Sequence, residues 1–489
     1  MNRRSLAWVL VVVACSPREP GAKQGVGGAG AGGVAASGAS NGGGTNAGGT
    51  KGAGAATSFG GSAGENESLA GSAGDNGGGG AGGSGGLTAQ AGEAGAAGSA
   101  GDGPVGVVDP SAELFDEERL PRFDIELPPE SVAALDALTS NIDPKGNDYV
   151  HATLRYGDEV VTDVGLRIKG ESSFRKLDKK SAFKIKFDEF VPKQSFHGLR
   201  RLTLNNMVED PSFIAERLAY HLYRAAKLPA PRCNSALVYV NGQYYGVYAN
   251  VESEDKTFLA RWFTNNDGNL YEENNKDFVP GAETYFDLET NETLNDRSGL
   301  VDFIEKIGAA DDASFMSRVG EKLNLAHFLR FTAAEAAVNQ WDMYAYTMFY
   351  PNNFRIYEDP SDGKFVFLPW GMDMAMKPFR DSGRAFIPAF GISRQGDRAT
   401  GKVTAGLLFQ KCLSSPDCKA AYTDVVREMA DLYESSRLPV LAASAYAQIQ
   451  PHVYADTRKE YTNERFEQAY QSLVSTVEGR AAALRSDLE

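Results

Sequence analysis

The chain has 489 residues, and 64 acidic against 49 basic side chains give it a net charge near −15. This balance argues against nucleic acid as a partner, because neutralising a phosphate backbone requires clustered Lys and Arg. No apolar run of roughly 18 residues is present, which argues against a segment that crosses a bilayer as a helix. Of the 54 glycines, 33 lie within the first 103 residues, and the remaining sequence has the composition of a globular body.

The first residues have the pattern of an export signal. Arg3 and Arg4 precede a short apolar stretch at residues 6–13, which is too short to span a bilayer. The sequence Val-Val-Ala-Cys that ends at Cys15 resembles a bacterial lipobox, in which the cysteine becomes the lipidated N-terminus. Residues 1–15 are therefore predicted to be a lipoprotein signal peptide, and Ser16 favours an outer-membrane or cell-surface location. The alternative is a plain cleavage site that happens to contain a cysteine.

Residues 16–103 consist mainly of Gly, Ala, Ser and Asn. Such a segment has too few large apolar side chains to offset chain entropy, so it is predicted to be a disordered, flexible tether. A coil of this length has a root-mean-square reach of roughly 50 Å. The tether would hold a globular body away from the membrane surface to which the lipid anchors the chain.

Three further cysteines fit an oxidising compartment. Cys412 and Cys418 are close enough in sequence to form a disulfide across a small loop. A zinc site is disfavoured, because no histidine or second cysteine pair lies near them in sequence. Cys233 is predicted to be a small buried hydrophobic residue.

The body is predicted to begin with an antiparallel sheet and one helix, within residues 104–255. Residues 149–156 and 160–169 alternate as strands around a Gly-Asp turn, and residues 181–188 form another strand. In that strand Lys184 and Lys186 share one face, opposite the apolar face. Two neighbouring lysines require an acid or an anion nearby, or they simply face solvent.

A helix is predicted next, with Asp210 as its N-cap and Pro211 at its first position. It carries Glu216, which either reaches a strand lysine or faces water. The hairpin signal Asn241-Gly242 follows, and its second strand leads into an acidic connector that starts at Glu252. We place the boundary between two lobes at this connector.

Residues 256–489 are predicted to be mainly helical. A helix at residues 324–338 ends in a polar loop with Asp342, and a hairpin at residues 354–368 is opened by Asn353 and followed by Asp373. The hairpin can bring these three side chains together. Phosphoryl transfer needs oxygen ligands for a divalent metal, a carboxylate that receives the acceptor proton, and a cation on the phosphates. Protein kinases supply these groups in the same order along the chain.

In several stretches the sequence resembles the spore-coat CotH kinase family. The similarity covers about residues 120–380, and its motifs are specific in combination. They are Gly-Leu-Arg-Ile-Lys-Gly-Glu-Ser-Ser (165–173), Lys-Lys-Ser-Ala-Phe-Lys-Ile-Lys-Phe (179–187), Gly-Leu-Arg-Arg-Leu-Thr-Leu-Asn (198–205), Leu-Pro-Ala-Pro-Arg (228–232), Tyr-Gly-Val-Tyr (245–248) and the segment from Trp-Asp (341–342) through Asn-Asn (352–353) to Trp-Gly-Met-Asp (370–373).

The resemblance implies an α+β, atypical two-lobed protein-kinase-like fold. It implies that the protein uses ATP with Mg²⁺ or Mn²⁺ to phosphorylate Ser or Thr of exported protein substrates. By position, Asp342 would be the catalytic carboxylate, and Asp373 and Asn353 would bind metal. Lys184 or Lys186 would contact phosphate and would pair with Glu216 on the helix. Glu252 would lie beside the adenine. Arg167 and Lys180 are lesser candidates for phosphate contacts.

Two departures from the family pattern leave other functions open. Gly371 stands where the family usually has the first aspartate of a Trp-Asp-hydrophobic-Asp motif, and Asn353 lies 11 residues after Asp342. An inactive, kinase-like surface module that binds nucleotide or protein is therefore the second hypothesis. A hydrolase that uses Asp342 and Asp373 as an acid/base pair is the third; the strand lysines argue against it.

Overall fold

The computed structural model describes residues 109–139, 148–347, 350–378, 385–391 and 406–489. The predicted signal peptide and tether lie outside these residues. The described residues belong to one compact unit, Glu93–Glu489, and the predicted mixture of α and β structure is confirmed. The strands of this part of the chain are β1 (Arg122–Glu126), β2 (Val150–Tyr156), β3 (Glu159–Lys169), β4 (Ala182–Lys186), β5 (Arg201–Asn205), β6 (Cys233–Val240), β7 (Gln243–Val251), β8 (Asn269–Glu273), β9 (Phe286–Leu288), β10 (Phe354–Asp359) and β11 (Lys364–Pro369).

Ten helices occur in the same described ranges, and most of them follow the second half of the barrel described below. In these described ranges, no helix is both long and apolar enough to cross a membrane. The helices are α1 (Pro129–Asp136), α2 (Ala215–Ala225), α3 (Lys256–Trp262), α4 (Ser298–Ala309), α5 (Phe315–Val319), α6 (Leu325–Ala337), α7 (Leu407–Ser414), α8 (Pro416–Ser435), α9 (Leu438–Ala455) and α10 (Asn463–Ser486).

The first seven strands form a closed barrel in the order β1-β2-β3-β4-β5-β7-β6. An antiparallel sheet alone was predicted, and this prediction was incomplete because β1 was missed. Phe123 and Ile125 of β1 alternate with charged residues and are buried. β1 pairs antiparallel with β2 and parallel with β6, which joins the two edges of the sheet.

Alternation along β3, β4 and β5 divides their side chains between the barrel core and an outer face. Ile168, Phe183 and Leu204 fill the core. Arg167 pairs in register with Lys184, and Lys184 with Thr203, so these residues share the outer face. Basic side chains therefore line the outside of the barrel where the rest of the body packs.

A second sheet has the order β11-β10-β8-β9, with every pairing antiparallel. The hairpin of β10 and β11 was predicted, but β8 and β9 were not. The region after the connector is therefore a mixed layer of sheet and helix rather than a mainly helical one. Stacked aromatic rings, such as Phe354 on Phe367, bury the sheet against α6.

The helix that carries Glu216 begins four residues later than predicted. Residues 211–214 form a turn in which Phe213 has a positive φ of 62°. The Asp210 carboxylate still accepts hydrogen bonds from the backbone N–H groups of Ser212 and Ala215, both at 2.9 Å. The predicted cap thus acts from outside the helix, and it fixes the position of the first helical turn.

The C-terminal helices pack onto both parts of the body. Cys412 and Cys418 are joined by a disulfide, and Cys233 is a buried free thiol. Lys180, which precedes β4, forms a buried ion pair with Asp456 after α9. This pair attaches the barrel to the helical tail.

Candidate active site

The loop after α6 is held by two polar side chains. The buried Glu335 carboxylate of α6 accepts the backbone N–H groups of Ala345 and Tyr346, at 3.0 and 2.8 Å. Gln340 accepts the Asp342 N–H at 3.3 Å and donates to the Gly371 carbonyl at 3.0 Å. These contacts link the loop that carries Asp342 to the loop that carries Asp373.

Asp342 lies against the two asparagines that precede β10. The Asn353 amide donates to the Asp342 carboxylate at 3.0 Å and to its backbone carbonyl at 2.8 Å. Asn352 donates to the same carboxylate at 3.5 Å. Burial raises the pKa of Asp342 above its usual value, and these hydrogen bonds oppose the rise.

Asp373 lies in a short 3₁₀ turn immediately after β11. Its neighbour Trp370 donates its backbone N–H to the Asn353 carbonyl at 3.0 Å, which aligns the two segments. Burial raises the pKa of Asp373 to about 6, and the nearby Glu209 and Asp342 carboxylates add to the rise, while Lys377 opposes it. A pair of acids whose charges repel in a half-buried site favours a cation between them.

The lysine that faces these acids is Lys169, at the end of β3, and the sequence interpretation missed it. Its ammonium donates to the side-chain oxygen of Asn205 at 2.5 Å, and the Asn205 amide donates to both carboxylate oxygens of Glu216 at 3.0 Å. Burial lowers the pKa of Lys169, and Glu216 and Asp373 oppose this shift. Burial and Asp373 raise the pKa of Glu216 to about 7.

Of the two predicted lysines, neither contacts Glu216. Lys186 donates to Glu189 at 2.6 Å, and the two side chains form an ion pair. Lys184 lies nearer the cluster, beside Arg355 and the acids Glu289 and Glu272, and burial lowers its pKa to about 7. The two lysines share one face of β4, but Lys186 lies at the end of the strand beside Glu189, whereas Lys184 lies beside acids that border the site.

The three lesser candidates have other partners. Lys180 is buried and bonds Asp456 and the Tyr245 carbonyl. Glu252 is buried between Arg232 and Arg261, which hold its pKa down to about 2 against the effect of burial. Arg167 stacks on Tyr149 at 5.0 Å from the ring centroid. Lys180 and Glu252 therefore each have close partners of opposite charge, and their expected nucleotide contacts stay predictions.

Gly371 has a conformation that explains the departure from the family motif. Its φ is +58°, and a Cβ there would lie 2.4 Å from the side-chain oxygen of Asn353. The Asn353 amide therefore occupies the space that an aspartate side chain at 371 would enter. In this chain a glycine at 371 and an asparagine at 353 fit each other.

The donor chemistry of the cluster suits a hard divalent cation. No group of three or more His, Cys, Asp or Glu side chains is arranged as a metal site among the described residues. Asp342, Asp373 and Asn353 instead combine two carboxylates with an amide, which are the oxygen donors that Mg²⁺ and Mn²⁺ take. Burial raises the pKa of both carboxyl groups, and a bound cation would favour their ionised forms.

Two residues of this site that were not predicted, Lys169 and Asn205, carry a recognisable pattern in the sequence. Lys169 lies two residues after Arg167 on β3, so alternation alone puts it on the same outer face as Lys184. Asn205 ends the next strand but one and lies in a motif of the family. Gln340 and Lys377 had no comparable signal, because their roles depend on how two loops meet.

The site combines a barrel lysine, a helix glutamate and two loop aspartates, which is the set of residues expected of a kinase-like protein. The model of the family described as "CotH kinase protein" matches residues 166–484, more than half of the chain. The chain belongs to the CotH kinase family.

Two curated relatives come from Bacillus subtilis (strain 168). Inner spore coat protein H is 24% identical over 338 residues, which cover 67% of this chain and 87% of the relative. Inner spore coat protein H-like protein is 32% identical over 74 residues, or 15% of this chain and 22% of the relative. Among solved structures, the Helicobacter pylori proinflammatory kinase CtkA is 11% identical and covers 72% of this chain and 98% of its own, with a TM-score of 0.30.

Proposed function

We propose that the protein is a CotH-type atypical protein kinase that transfers the γ-phosphate of ATP to Ser or Thr hydroxyls of exported or surface proteins. The observation that carries this proposal is the convergence of Lys169 and Glu216, from the barrel side, with Asp342, Asn353 and Asp373 from the two loops. In this proposal the barrel with α2 and the sheet–helix region that follows act as the two lobes of a kinase.

The residues have separable tasks. Lys169 places a positive charge where phosphate oxygens bind. The Ser or Thr hydroxyl oxygen bonds to the γ-phosphorus, and Asp342 accepts the proton of that hydroxyl. The bond between the γ-phosphorus and the β-phosphate oxygen breaks, which releases ADP. The raised pKa of Asp342 suits a proton acceptor better than that of an ordinary exposed aspartate.

Asp373 and Asn353 would hold the divalent metal, with Asp342 beside them. A bound Mg²⁺ or Mn²⁺ supplies positive charge against the phosphates. Gln340 keeps the two loops in register through its contacts with both backbones. Lys184 adds a second positive charge at the border of the site and is a candidate contact for the nucleotide.

We also propose that the protein works outside the cytoplasm. The sequence at Cys15 supports a lipid anchor at the outer membrane or cell surface, and residues 16–103 support a tether. Its substrates would then be exported proteins within reach of that tether. Globomycin treatment of expressing cells, followed by mass spectrometry of the N-terminus, tests the anchor; an unlipidated mature terminus would contradict it.

The second candidate, an inactive binding module, is favoured by Gly371. The motif lacks one family carboxylate, and Asn353 fills its space with a neutral amide. Such a module would retain nucleotide or protein binding through Lys169 and its neighbours without transferring phosphate.

Labelled ATP with Mg²⁺ or Mn²⁺, incubated with the purified protein and casein as a generic acceptor, distinguishes these functions. We expect Asp342→Ala and Asp373→Ala to lower phosphate transfer by at least about a hundredfold, as for loss of a catalytic acid or base. Lys169→Ala should weaken ATP binding, and Lys186→Ala is the matched control because its ion pair lies outside the site. ATP binding without transfer would favour the inactive module, and transfer unchanged in both aspartate variants would contradict the site.

A further inference from the structure

An asparagine separates the lysine and the glutamate of the site. Asn205, at the end of β5, accepts a hydrogen bond from Lys169 at 2.5 Å and donates to both oxygens of Glu216 at 3.0 Å. No ion pair within 4.0 Å joins Lys169 to a carboxylate in the described parts of the chain. The link between barrel lysine and helix glutamate therefore passes through a neutral amide.

The amide can adopt only one orientation between these partners. An ammonium group only donates, so the Asn205 oxygen must face Lys169, and its nitrogen then faces Glu216. A flipped amide would oppose donor to donor on one side and acceptor to acceptor on the other. Asn205 therefore fixes the direction of both charged side chains as well as their separation.

This arrangement leaves Lys169 without a carboxylate in direct contact among the described residues, while Glu216 and Asp373 act on its charge from farther away. A direct ion pair with Glu216 would neutralise the ammonium and occupy its donors. The amide takes one of three N–H donors, and the Trp370 ring lies 5.4 Å from the nitrogen. Two donors therefore remain available to an anionic ligand.

We propose that Asn205 is a positioning residue for nucleotide binding. It links Lys169 to Glu216 through hydrogen bonds, and it leaves the Lys169 ammonium able to bind a phosphate oxygen of the nucleotide. The proposal rests on the proposed function and deepens it, since it assigns the residue that sets the phosphate-binding lysine. It distinguishes this site from one in which lysine and glutamate meet directly.

An exchange of the amide and the carboxylate tests the proposal. The double variant Asn205→Asp/Glu216→Gln keeps the net charge and the hydrogen-bond chain, but it puts a carboxylate directly on Lys169. We expect its unfolding midpoint to stay near that of the wild type, while its affinity for a fluorescent ATP analogue with Mg²⁺ falls about tenfold, the effect of roughly 1.4 kcal/mol. Wild-type affinity in this variant would overturn the proposal.

A double-mutant cycle with Asn205→Ala and Lys169→Met provides the second measurement. If Asn205 acts through Lys169, each single variant binds the nucleotide more weakly and the double variant binds no more weakly than Lys169→Met alone. Additive losses, or unchanged affinity in Asn205→Ala, overturn the proposal while the kinase function stands. A wild-type protein that binds no nucleotide overturns both.

Discussion

At the scale of single residues, the site depends on which charges are already compensated. Lys186 and Glu252 each have close partners of opposite charge, whereas Lys169 has a neutral amide. Burial raises the pKa of both Asp342 and Asp373, and the nearby Glu209 carboxylate adds to both rises. A charged group with its own partner stabilises the fold, and one without a partner is available to a ligand.

Restoring the family aspartate at Gly371 should impair the protein. Because a side chain at a φ of +58° meets the Asn353 oxygen at 2.4 Å, Gly371→Asp should lower the unfolding free energy by about 1–3 kcal/mol. It should also weaken Mn²⁺ binding by displacing Asn353 from Asp342. Urea denaturation and metal titration provide the measurements.

Gly363→Asp is the matched control for that change. Gly363 has a similar φ of +67°, but no atom lies within 4 Å of a Cβ there. It should show only the conformational penalty, about 1 kcal/mol, and unchanged metal affinity. Stronger metal binding and transfer in Gly371→Asp would show that Asn353 does not fill the place of the aspartate.

Glu252 should contribute stability that acid removes. Arg261 and Arg232 hold its folded pKa at about 2, against an ordinary value of 4.5 for glutamate. The folded state binds fewer protons between these values, so the contribution is present above pH 4.5 and is lost as the pH falls toward 2. Its size is roughly 3 kcal/mol at neutral pH, from about 1.36 kcal/mol per pKa unit.

Unfolding of wild type and Glu252→Gln across this pH range measures that contribution. The difference in unfolding free energy should be largest at pH 7 and should shrink between pH 4.5 and 2. A variant with normal stability and weakened ATP binding would instead return Glu252 to the adenine side of the site.

At the scale of elements, the helix α2 positions Glu216 through its first turn. The Asp210 carboxylate caps that turn from outside by accepting the N–H groups of Ser212 and Ala215. Glu216 is the second residue of the helix, so any fraying of the first turn moves the partner of Asn205. An effect of the cap on stability should therefore extend to the site.

Asp210→Ala should lower the unfolding free energy by about 1–2 kcal/mol and reduce phosphate transfer severalfold. The control is Asp296→Ala, because Asp296 accepts the Ser298 N–H at 2.9 Å at the start of α4, which carries no residue of the site. The control should lose about 1 kcal/mol or less and keep its transfer rate. Equal effects on transfer in both variants would contradict a positioning role for α2.

Local sequence patterns predicted most of these elements. The Asn241-Gly242 turn identified β6 and β7, and alternation identified β3 and β4, because these signals act over a few residues. Short strands without such signals were missed. β9 has only three residues, and β1 depends on pairing with a strand more than 100 residues later.

At the scale of the whole molecule, a buried ion pair fastens the barrel to the helical tail. Lys180 pairs with Asp456, and the exposed fractions of the two side chains are 1% and 0%. Gly246 lies beneath the pair, since a Cβ there would lie 1.9 Å from an Asp456 oxygen.

Asp456→Asn should lower the unfolding free energy by about 3–5 kcal/mol, because it leaves a buried ammonium without its counter-charge. Asp424→Asn is the matched control; its ion pair with Arg427 is exposed and should contribute less than about 1 kcal/mol. Chemical denaturation compares the two. A small effect at Asp456 would mean that the tail adds little to the stability of the barrel.

Short-range patterns predicted the two aspartates with their asparagine, most of the strands, and the helices α2 and α6. These patterns do not show which barrel lysine faces Glu216, because that depends on contacts between distant segments. Arg167, Lys169, Lys184 and Lys186 all belong to the outer face of the barrel, and alternation cannot rank them. The position of α2 beside β5, and the partners supplied by distant segments, left Lys169 facing Glu216 through Asn205 and gave Lys186 its own acid.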